Sequence, residues 1–294
     1  MRRTLRAALE EATQAVGRVD ASVIVAHLLG VNRAYLATHP MRVLTEAEDA
    51  KVDSLVAQRA LGQPVAYLLH RREFYGRDFV VGPAVLIPRP ETEALVEAAL
   101  SRLERSFPSF PSTVLRNHAA VLRNHGASCL DLGTGSGAIA VTLACERPDA
   151  RVCATDTSVE AIEVTRSNAR IHGCAERIEL RAGSWYDAVT GRRFDMIVSN
   201  PPYVARGDPH LSQGDVRFEP SRALTDGSRD GLDSIRSIVA GASDHLEAGG
   251  WLLLEHGYDQ ADAVLALLEA SGFGAISSLP DLAGIPRVAL GRVK

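Results

Sequence analysis

The chain has 294 residues, of which 46% are hydrophobic and 23% are charged, a balance typical of a soluble protein with one or two well-packed domains. Its formal net charge of -4 argues against broad, unspecific binding of nucleic acid, which normally requires a clearly basic domain. No 18 apolar residues run together, and the N-terminal MRRTLRAALEEA lacks the apolar core of a signal peptide. We therefore expect a cytoplasmic protein without membrane association.

The four cysteines are expected to be buried, reduced thiols. They lie in or beside apolar segments, form no C-x-x-C pair and have no Cys/His spacing suited to zinc, so no metal site is expected. The residues are Cys129, Cys145, Cys153 and Cys174.

Residues 1–72 are predicted to form a small helical domain. Apolar residues recur at helical spacing around Leu5, Ile24 and Val52. Thr45 followed by Glu48 fits a capping box, in which each side chain bonds the other residue's backbone N–H, at the start of the third helix.

A hairpin and a linker are predicted at 73–92. EFYGRDFVVGP, at 73–83, places two runs of aromatic or β-branched residues around Gly76-Arg77, a pattern that favours a short hairpin. The stretch 70–92 could serve as a hinge.

The linker contains LIPRPETE, at 86–93. Its two prolines fix an extended entry to a helix that begins at Thr92. Arg89 and Glu91 either contact a substrate or brace the linker, and we favour bracing. Further along, VLRNH occurs at 114–118 and again at 121–125. Two copies are too few for a coiled coil or a repeat fold, so this stretch is interpreted as a connecting segment.

From residue 129 onward, short apolar strands alternate with helical segments, within a third predicted domain at 93–294. Such alternation indicates crossover connections, and hence an α/β fold with a mostly parallel sheet covered on both faces. Ligands of these sheets bind at the carboxyl ends of the strands, so the residues that follow each strand are the candidates for a site. The strand candidates lie at 129–132, 152–156, 178–182, 194–200 and 250–257.

A glycine-rich loop follows the first strand in DLGTGSGAIAV, at 131–141. Gly133, Gly135 and Gly137 allow a sharp turn and a close approach of the backbone to a ligand, because glycine has no Cβ. The spacing also fits the dinucleotide fingerprint G-x-G-x-x-G/A, with Ala138 in the last position, and it fits a purely structural turn.

Two further residues follow the next strands. Asp156 can accept hydrogen bonds from both ribose hydroxyls of a nucleoside, or it can be a simple helix N-cap; the glycine loop before it favours the ribose role. Trp185, in GSWYDA at 183–188, would overhang the base of that nucleoside. It could stack on an adenine or pack in the core, and both interpretations stay open.

NPPY, at 200–203, follows the fourth strand, which must end at Asn200 because proline has no N–H for a sheet ladder. An amide or aromatic amine nitrogen is a poor nucleophile, since its lone pair is delocalised into the adjoining π-system. An enzyme can assist by accepting both N–H hydrogens. Asn200 Oδ1 is one acceptor and the Pro201 carbonyl is the second, held rigidly by Pro202. Tyr203 offers a ring on which a flat amide or base can stack.

This tetrad needs no metal or carboxylate beside it if the electrophilic group is attached to a positively charged leaving group. Such a leaving group becomes neutral when it departs, so it needs no further activation. The catalysis is then positioning and hydrogen bonding to the transition state. The structural alternative, a strand followed by an Asn-Pro turn, accounts for one proline but not for the whole tetrad.

With the glycine loop, Asp156 and NPPY in this order, the chain resembles the class I S-adenosylmethionine-dependent methyltransferases that act on planar nitrogen. More narrowly, it resembles the peptide chain release factor glutamine methyltransferases. The similarity extends over nearly the whole chain, and GDVRFEP is its most specific segment. The motifs are LIPRPETE at 86–93, DLGTGSGAIA at 131–140, VSNPPYV at 198–204, DPHLSQGDVRFEPSRAL at 208–224, LLLEHG at 252–257 and RVALGR at 287–292.

The resemblance implies a Rossmann-like class I methyltransferase domain, preceded by the small helical domain, which would help to dock the substrate. It implies S-adenosylmethionine as cofactor and S-adenosylhomocysteine as product. The implied substrate is the side-chain amide of the glutamine in the Gly-Gly-Gln motif of class I release factors. No membrane partner and no direct nucleic-acid substrate are expected.

The resemblance also assigns residues to the cofactor and the substrate. Asp131 and the glycine loop would hold the methionine part of the cofactor, Asp156 the ribose and Trp185 the adenine region. Asn200, Pro201 and Tyr203 would be catalytic and grip the glutamine amide together with Pro202. The implied cofactor-binding residues are Asp131, Gly133, Thr134, Gly135, Ser136, Gly137, Asp156, Trp185 and Asn200.

The chain departs from the family pattern at three places, none of which touches NPPY. Ser184 stands where the family often carries an acid that would bind the adenine amino group. AYLLHR, at 66–71, replaces an AYLTG-like stretch, and the doubled VLRNH resembles an insertion.

Three other functions stay open. A sister enzyme would methylate a ribosomal-protein glutamine, but PRPETE and GDVRFEP favour the release factor. An adenine-amine methyltransferase of DNA or RNA would suit NPPY, but the acidic chain has no evident basic target-recognition domain. A non-catalytic cofactor-binding partner of the translation machinery would not need an intact NPPY.

Overall fold

A computed structural model describes residues 3–106 and 126–294, and both VLRNH copies lie outside these ranges. The chain divides into two units. One comprises Met1–Arg71 with Ser212–Phe218, and the other comprises Arg72–Leu211 with Glu219–Lys294.

Helices build the first unit, as the periodicity predicts. Their apolar stripes meet in a core that includes Leu5, Val25 and Leu36. The predicted capping box opens the fourth helix: the Thr45 N–H donates to Glu48 Oε2 at 2.9 Å, and the Glu48 N–H donates to Thr45 Oγ1 at 3.2 Å. The helices are α1 Leu5–Val16, α2 Arg18–Leu28, α3 Arg33–Thr38, α4 Glu46–Ala60 and α5 Val65–Leu68.

The segment Ser212–Phe218 belongs to this helical unit, although it is remote in sequence. Arg59 on α4 holds it by an ion pair to Asp215 at 2.5 Å and binds Asp20 at 2.6 Å. The sequence pattern does not predict this, because a long-range ion pair leaves no periodic signal.

The predicted hairpin consists of β1 Arg71–Phe74 and β2 Arg77–Val80. Its two turn residues are Tyr75 and Gly76, with φ of 53° and 70°. Positive φ at both positions is the signature of a type I′ turn, and the turn lies one residue earlier than the predicted Gly76-Arg77.

The helix expected to begin at Thr92 is α6, Glu93–Ser106. A short 3₁₀ turn, Pro90–Thr92, precedes it. Thr92 is therefore the last residue of the turn rather than the first of the helix, and its side chain is buried.

The described residues of the second unit form a seven-stranded sheet, with strands β3 Ser128–Leu132, β4 Arg151–Asp156, β5 Ile178–Ala182, β6 Phe194–Ser199, β7 Leu246–Glu255, β8 Gly274–Pro280 and β9 Pro286–Arg292. The order of the strands in the sheet is β5-β4-β3-β6-β7-β9-β8. The pairs β3–β4, β4–β5, β3–β6 and β6–β7 are parallel, whereas β9 pairs antiparallel with β7 and β8. The predicted mostly parallel sheet is confirmed.

Helices cover both faces of the sheet. On β6, Met196 and Val198 pack in one apolar cluster together with α6, whereas the intervening Ile197 packs in another cluster on the opposite face. The second cluster includes Ile235 and Val264 from two later helices. The helices that follow α6 are α7 Ala138–Glu146, α8 Val159–Ile171, α9 Asp233–His245 and α10 Ala261–Ala270.

The four cysteines are free thiols. Cys129, Cys153 and Cys174 are buried, and Cys145 is half-buried. Burial raises the pKa of Cys129 and Cys174 to about 12 and that of Cys153 to about 11, so these three thiols stay protonated at neutral pH.

Candidate active site

A cavity lies at the carboxyl end of the parallel strands, the edge at which ligands of α/β sheets bind. All of its walls come from the second unit. They include linker residues within 84–92, the loop 133–136, and residues 156, 157 and 183–185 that end or follow β4 and β5. Asn200, Pro202 and residues 222–223 also line it, as do three helix residues: Ala138, Ile139 and Ala161.

The glycine loop turns tightly between β3 and α7. Gly133, Gly135 and Gly137 have φ of 75°, 57° and 82°, a region that residues with a side chain rarely adopt. A Cβ at Gly137 would lie 2.7 Å from Thr165 Cγ2, so this position has no room for a side chain. A Cβ at Gly135 would meet nothing within 4 Å, because Gly135 faces the cavity.

Asp131, near the end of β3, lies behind this loop. Its side chain is fully buried and accepts a hydrogen bond from the Thr134 hydroxyl at 2.7 Å. The other carboxylate oxygen, Oδ1, has no hydrogen-bond partner in the described part of the chain. Burial raises the pKa of Asp131 to about 7, since it disfavours the charged form. Asp131 and Gly137 support the loop and are not among the residues of the cavity wall.

Asp156 lies in the cavity wall at the end of β4. Its Oδ2 accepts the Gly135 N–H and its Oδ1 accepts the Ser158 N–H, both at 2.9 Å. The N-cap of α8 is Ser158, whose hydroxyl accepts the Ala161 N–H at 3.2 Å. The alternative that Asp156 is the helix N-cap is therefore wrong. Each of its oxygens has a second lone pair for a ligand.

Trp185 has a φ of 42°, which is unusual for a bulky residue. It lines the cavity next to Ser184 and also packs against the apolar cluster on one face of the sheet. A Cβ added to Gly133 would have the Trp185 ring as its nearest neighbour, at 3.7 Å. Trp185 therefore packs in the core, as one interpretation predicts, and also lines the cavity. Its stacking on an adenine stays a prediction.

Asn200 directly follows β6 and lines the cavity. Its Nδ2 donates to the Thr92 hydroxyl oxygen at 3.1 Å. Pro201 is buried, and Pro202 is in the cavity wall. With Nδ2 bound to Thr92, the Oδ1 of Asn200 is the end of the amide that remains for a ligand.

Tyr203 is half-buried and is not among the residues that line the cavity. Its hydroxyl donates to Glu255 Oε1 at 3.1 Å, and burial raises its pKa well above the usual value. The Gln260 amide donates to the Tyr203 carbonyl at 3.0 Å. A Cβ on Gly231 would lie 2.0 Å from that carbonyl oxygen. The backbone of NPPY is therefore fixed from two sides.

Glu255 ends β7 and is fully buried. The Tyr203 hydroxyl donates to its Oε1 at 3.1 Å, while its Oε2 has no hydrogen-bond partner among the described residues. Burial raises the pKa of Glu255 to about 7. Sequence reasoning missed Thr92 and Glu255 as site residues. The sequence did contain a signal for Glu255, because this carboxylate ends an apolar strand at the sheet edge where the other motifs lie.

Glu219 is a second buried carboxylate that sequence reasoning did not single out. It forms an ion pair with Arg89, and its Oε2 accepts the Ile87 N–H at 2.9 Å. Arg89 thus braces the linker, as favoured from the sequence, while it also lies in the cavity wall. The glutamate of GDVRFEP thus contacts the arginine of the linker's PRP.

Residues 3–106 and 126–294 contain no group of three or more histidine, cysteine or carboxylate side chains placed to hold a metal ion. No helix found there is long and apolar enough to cross a membrane.

Comparisons with known proteins match nearly the whole chain. A model of the PrmC N-terminal domain matches residues 1–69, and a model of the methyltransferase small domain matches residues 112–218. A release factor glutamine methyltransferase of Xylella fastidiosa is 49% identical, with 97% of each chain covered. One from Neisseria gonorrhoeae is 47% identical, with 94% of this chain and 93% of the relative covered. One from Salmonella typhimurium is 41% identical over 94% of this chain and 92% of the relative.

Solved structures share the fold at low sequence identity. A methyltransferase from Pyrococcus furiosus has a TM-score of 0.50 at 17% identity, with 80% of this chain and 96% of the other covered. A T. thermophilus 16S rRNA N2 G1207 methyltransferase, in complex with AdoMet and guanosine, has a TM-score of 0.51 at 20% identity, with 76% and 50% covered. The expected class I methyltransferase fold with a helical N-terminal region is confirmed.

Proposed function

The chain belongs to the release factor glutamine methyltransferase family, and we propose that it methylates the glutamine of the Gly-Gly-Gln motif in class I peptide chain release factors. The methyl group would come from S-adenosylmethionine and be placed on the side-chain amide nitrogen. The observation that carries this proposal is the Asn200 side chain, which lines the cavity with Nδ2 bound to Thr92 and Oδ1 available as an acceptor.

The cavity suits S-adenosylmethionine. Asp156 has lone pairs for the two ribose hydroxyls, and Gly135 presents no side chain to a ligand. Asp131 is buried behind the glycine loop and accepts the Thr134 hydroxyl, so it would act on the cofactor by holding the loop in shape. Trp185 and Ser184 would adjoin the adenine. S-adenosylmethionine, when bound, supplies a methyl group on a positively charged sulfur that leaves as neutral S-adenosylhomocysteine.

The protein's task is to present the amide nitrogen of glutamine to that methyl group. Asn200 Oδ1 and the Pro201 carbonyl would accept its two N–H hydrogens, which favours a pyramidal nitrogen with its lone pair aimed at the methyl carbon. A nitrogen–carbon bond forms as the sulfur–carbon bond breaks, and the nitrogen then loses one proton to solvent. Asn200 and Pro201 thus stabilise a geometry that exists only near the transition state.

Tyr203 and the rigid Pro202 would shape the place of the glutamine side chain, with the Tyr203 ring as a stacking surface. The helical unit of residues 1–71 would help to dock the release factor. We further propose that the protein acts in the cytoplasm and that nucleic acid is not its direct substrate.

Transfer of a labelled methyl group tests the choice of substrate. The protein is incubated with labelled S-adenosylmethionine and, in separate reactions, a purified class I release factor, ribosomal proteins and duplex DNA. We expect label in the release factor, with many turnovers per enzyme. Label only in a ribosomal protein or in DNA would move the function to that substrate, and less than one methyl per enzyme would indicate a non-catalytic protein.

A further inference from the structure

The two acceptors proposed for the substrate amide are the Oδ1 of Asn200 and the carbonyl oxygen of Pro201. Both must lie at fixed positions, because a misplaced acceptor cannot bind the substrate N–H while the nitrogen lone pair points at the methyl group. The proline rings of the tetrad fix φ, yet rotation about ψ would still turn the Pro201 carbonyl. The backbone before and after the tetrad therefore has to be held by other residues.

The sheet holds the backbone before the tetrad, because Ser199 ends β6 and pairs with both β3 and β7. The backbone after the tetrad has left the sheet. There, the Val204 N–H donates to the Leu224 carbonyl at 2.9 Å. The Tyr203 carbonyl accepts a hydrogen bond from the Gln260 side chain at 3.0 Å. A side chain thus takes over from the sheet at the last residue of the tetrad.

Gln260 is buried and forms hydrogen bonds with both ends of its side-chain amide. Its Oε1 accepts the Gly257 N–H at 2.8 Å. Its Nε2 donates to the Tyr203 carbonyl at 3.0 Å and to the Asp230 carbonyl at 2.8 Å. One N–H and two carbonyl groups therefore surround the amide, and only one orientation of the amide matches them. Gln260 joins the end of NPPY to the residues that follow β7 and to the loop that precedes α9.

Close packing surrounds this amide. A Cβ on Gly231 would lie 2.0 Å from the Tyr203 carbonyl oxygen and 3.0 Å from Gln260 Nε2. A Cβ on Gly257 would lie 2.9 Å from Gln260 Oε1. Both glycines thus allow the backbone to come close to the amide, because glycine has no Cβ. The Gln260 amide is held tightly, and it holds the Tyr203 carbonyl in turn.

We propose that Gln260 is a positioning residue for methyl transfer, which fixes the Tyr203 carbonyl and thereby the orientation of the Pro201 carbonyl. This inference rests on the proposed function, because it concerns the acceptors that methylation of an amide nitrogen needs. Gln260 is not among the residues that line the cavity. It acts through the backbone of NPPY, so its loss should change kcat more than the binding of the cofactor or the release factor.

Two substitutions of Gln260 test this role. Gln260→Met keeps the approximate size of the side chain and removes its hydrogen bonds. We expect kcat to fall about tenfold, the effect of one lost hydrogen bond, with the KM for the release factor and the Kd for S-adenosylmethionine within about threefold. Gln260→Glu keeps the shape, and its carboxyl group can donate to a carbonyl only while it is protonated.

Gln260→Glu therefore introduces a pH dependence that a space-filling role would not. Once ionised, its carboxylate would face the carbonyl oxygens of Tyr203 and Asp230, and acceptors would meet without a proton between them. The kcat of Gln260→Glu, relative to that of the unmodified protein, should fall about fivefold or more as the pH rises from about 5 to about 8. A ratio that stays constant across this range would overturn the inference, as would full activity of Gln260→Met.

Asp226→Asn is the matched control. Asp226 braces the same loop by accepting the Ser228 N–H at 2.9 Å and the Ser234 N–H at 2.8 Å, and neither bond involves NPPY. This control should lower the melting temperature and keep kcat within about twofold. An equal loss of kcat in Asp226→Asn and Gln260→Met would overturn the inference, because the stability of the loop would then be the cause. If the unmodified protein does not methylate the release factor, the proposed function fails instead.

Discussion

Arg89 and Glu219 form an ion pair in which the Glu219 side chain is fully buried while the Arg89 side chain keeps 31% of its surface exposed. The same carboxylate accepts the backbone N–H of Ile87. Arg89 and its neighbours in the linker line the cavity. The ion pair therefore holds the linker in place as part of the cavity wall.

Replacement of Glu219 by Ala should therefore lower the free energy of unfolding by about 1–3 kcal/mol, because the Ile87 N–H loses its acceptor inside the protein. Urea unfolding measures this change. Glu163→Ala is the matched control, since Glu163 pairs with Arg166 on the surface and is 62% exposed, so its loss should cost less than about 0.5 kcal/mol. Equal effects of the two substitutions would show that the buried pair does not brace the linker.

Gly231 is a position where the structure has no room for a side chain. An added Cβ would lie 2.0 Å from the Tyr203 carbonyl oxygen, so Gly231→Ala must displace the NPPY backbone. We expect it to lower kcat at least tenfold and to reduce the melting temperature, because both the clash and the φ of 69° oppose a side chain.

Gly173→Ala separates these two causes. Gly173 has a φ of 67°, and an added Cβ there meets nothing within 4 Å. Its replacement should reduce the melting temperature and leave kcat unchanged. A loss of kcat in Gly173→Ala equal to that in Gly231→Ala would mean that backbone strain, and not contact with Tyr203, is responsible.

Asp156→Asn tests the cofactor side of the cavity. The substitution removes a charged acceptor and half of the acceptor capacity, so the Kd for S-adenosylmethionine should rise about 10- to 100-fold. Isothermal titration calorimetry measures it directly. Asp187→Asn is the control, because Asp187 is exposed and outside the cavity wall. An unchanged Kd in Asp156→Asn would contradict the ribose role.

The stability of the protein should depend on pH through Glu255. Burial raises its pKa from 4.5 to about 7, against the smaller, lowering effects of the Thr92 and Tyr203 hydroxyls and of the charge of Arg287. The folded state thus binds this proton more tightly than the unfolded state. Its contribution to stability is fully present below pH 4.5 and is lost as the pH rises through about 7.

Urea unfolding of the unmodified protein and of Glu255→Gln between pH 5 and 8 checks this dependence. Glutamine does not titrate, so the variant should gain stability relative to the unmodified protein as the pH rises. A difference that stays constant across this range, or that changes in the opposite direction, would show that Glu255 has an ordinary pKa in the folded protein.

The sequence predicted the parts of the fold that have a strong local pattern. The five parallel strands, the helical N-terminal region and the hairpin were all found, with boundaries within a few residues. The two antiparallel strands β8 and β9 were missed. GAISSLP in β8 is half-exposed, contains two serines and ends in proline, so its hydrophobic signal is weak.

The sequence predicted those site residues that lie close together in one segment. The glycine loop and NPPY each bring several site residues together within a few positions of sequence. By contrast, the Thr92 and Asn200 side chains meet across 108 residues, and Arg89 meets Glu219 across 130 residues. Such contacts depend on the order of the strands, which periodicity does not encode. The sheet order β3-β6-β7 brings the ends of these strands together and so places Asn200 near Glu255.

The measurement that tests the central claim most directly is tandem mass spectrometry of the Gly-Gly-Gln peptide, taken from a class I release factor after incubation with this protein and S-adenosylmethionine. We expect one added methyl group, located on the glutamine side-chain amide, and formation about 100- to 1000-fold slower with Asn200→Ala. A methyl group on another residue, no methyl group at all, or full activity of Asn200→Ala would contradict the account.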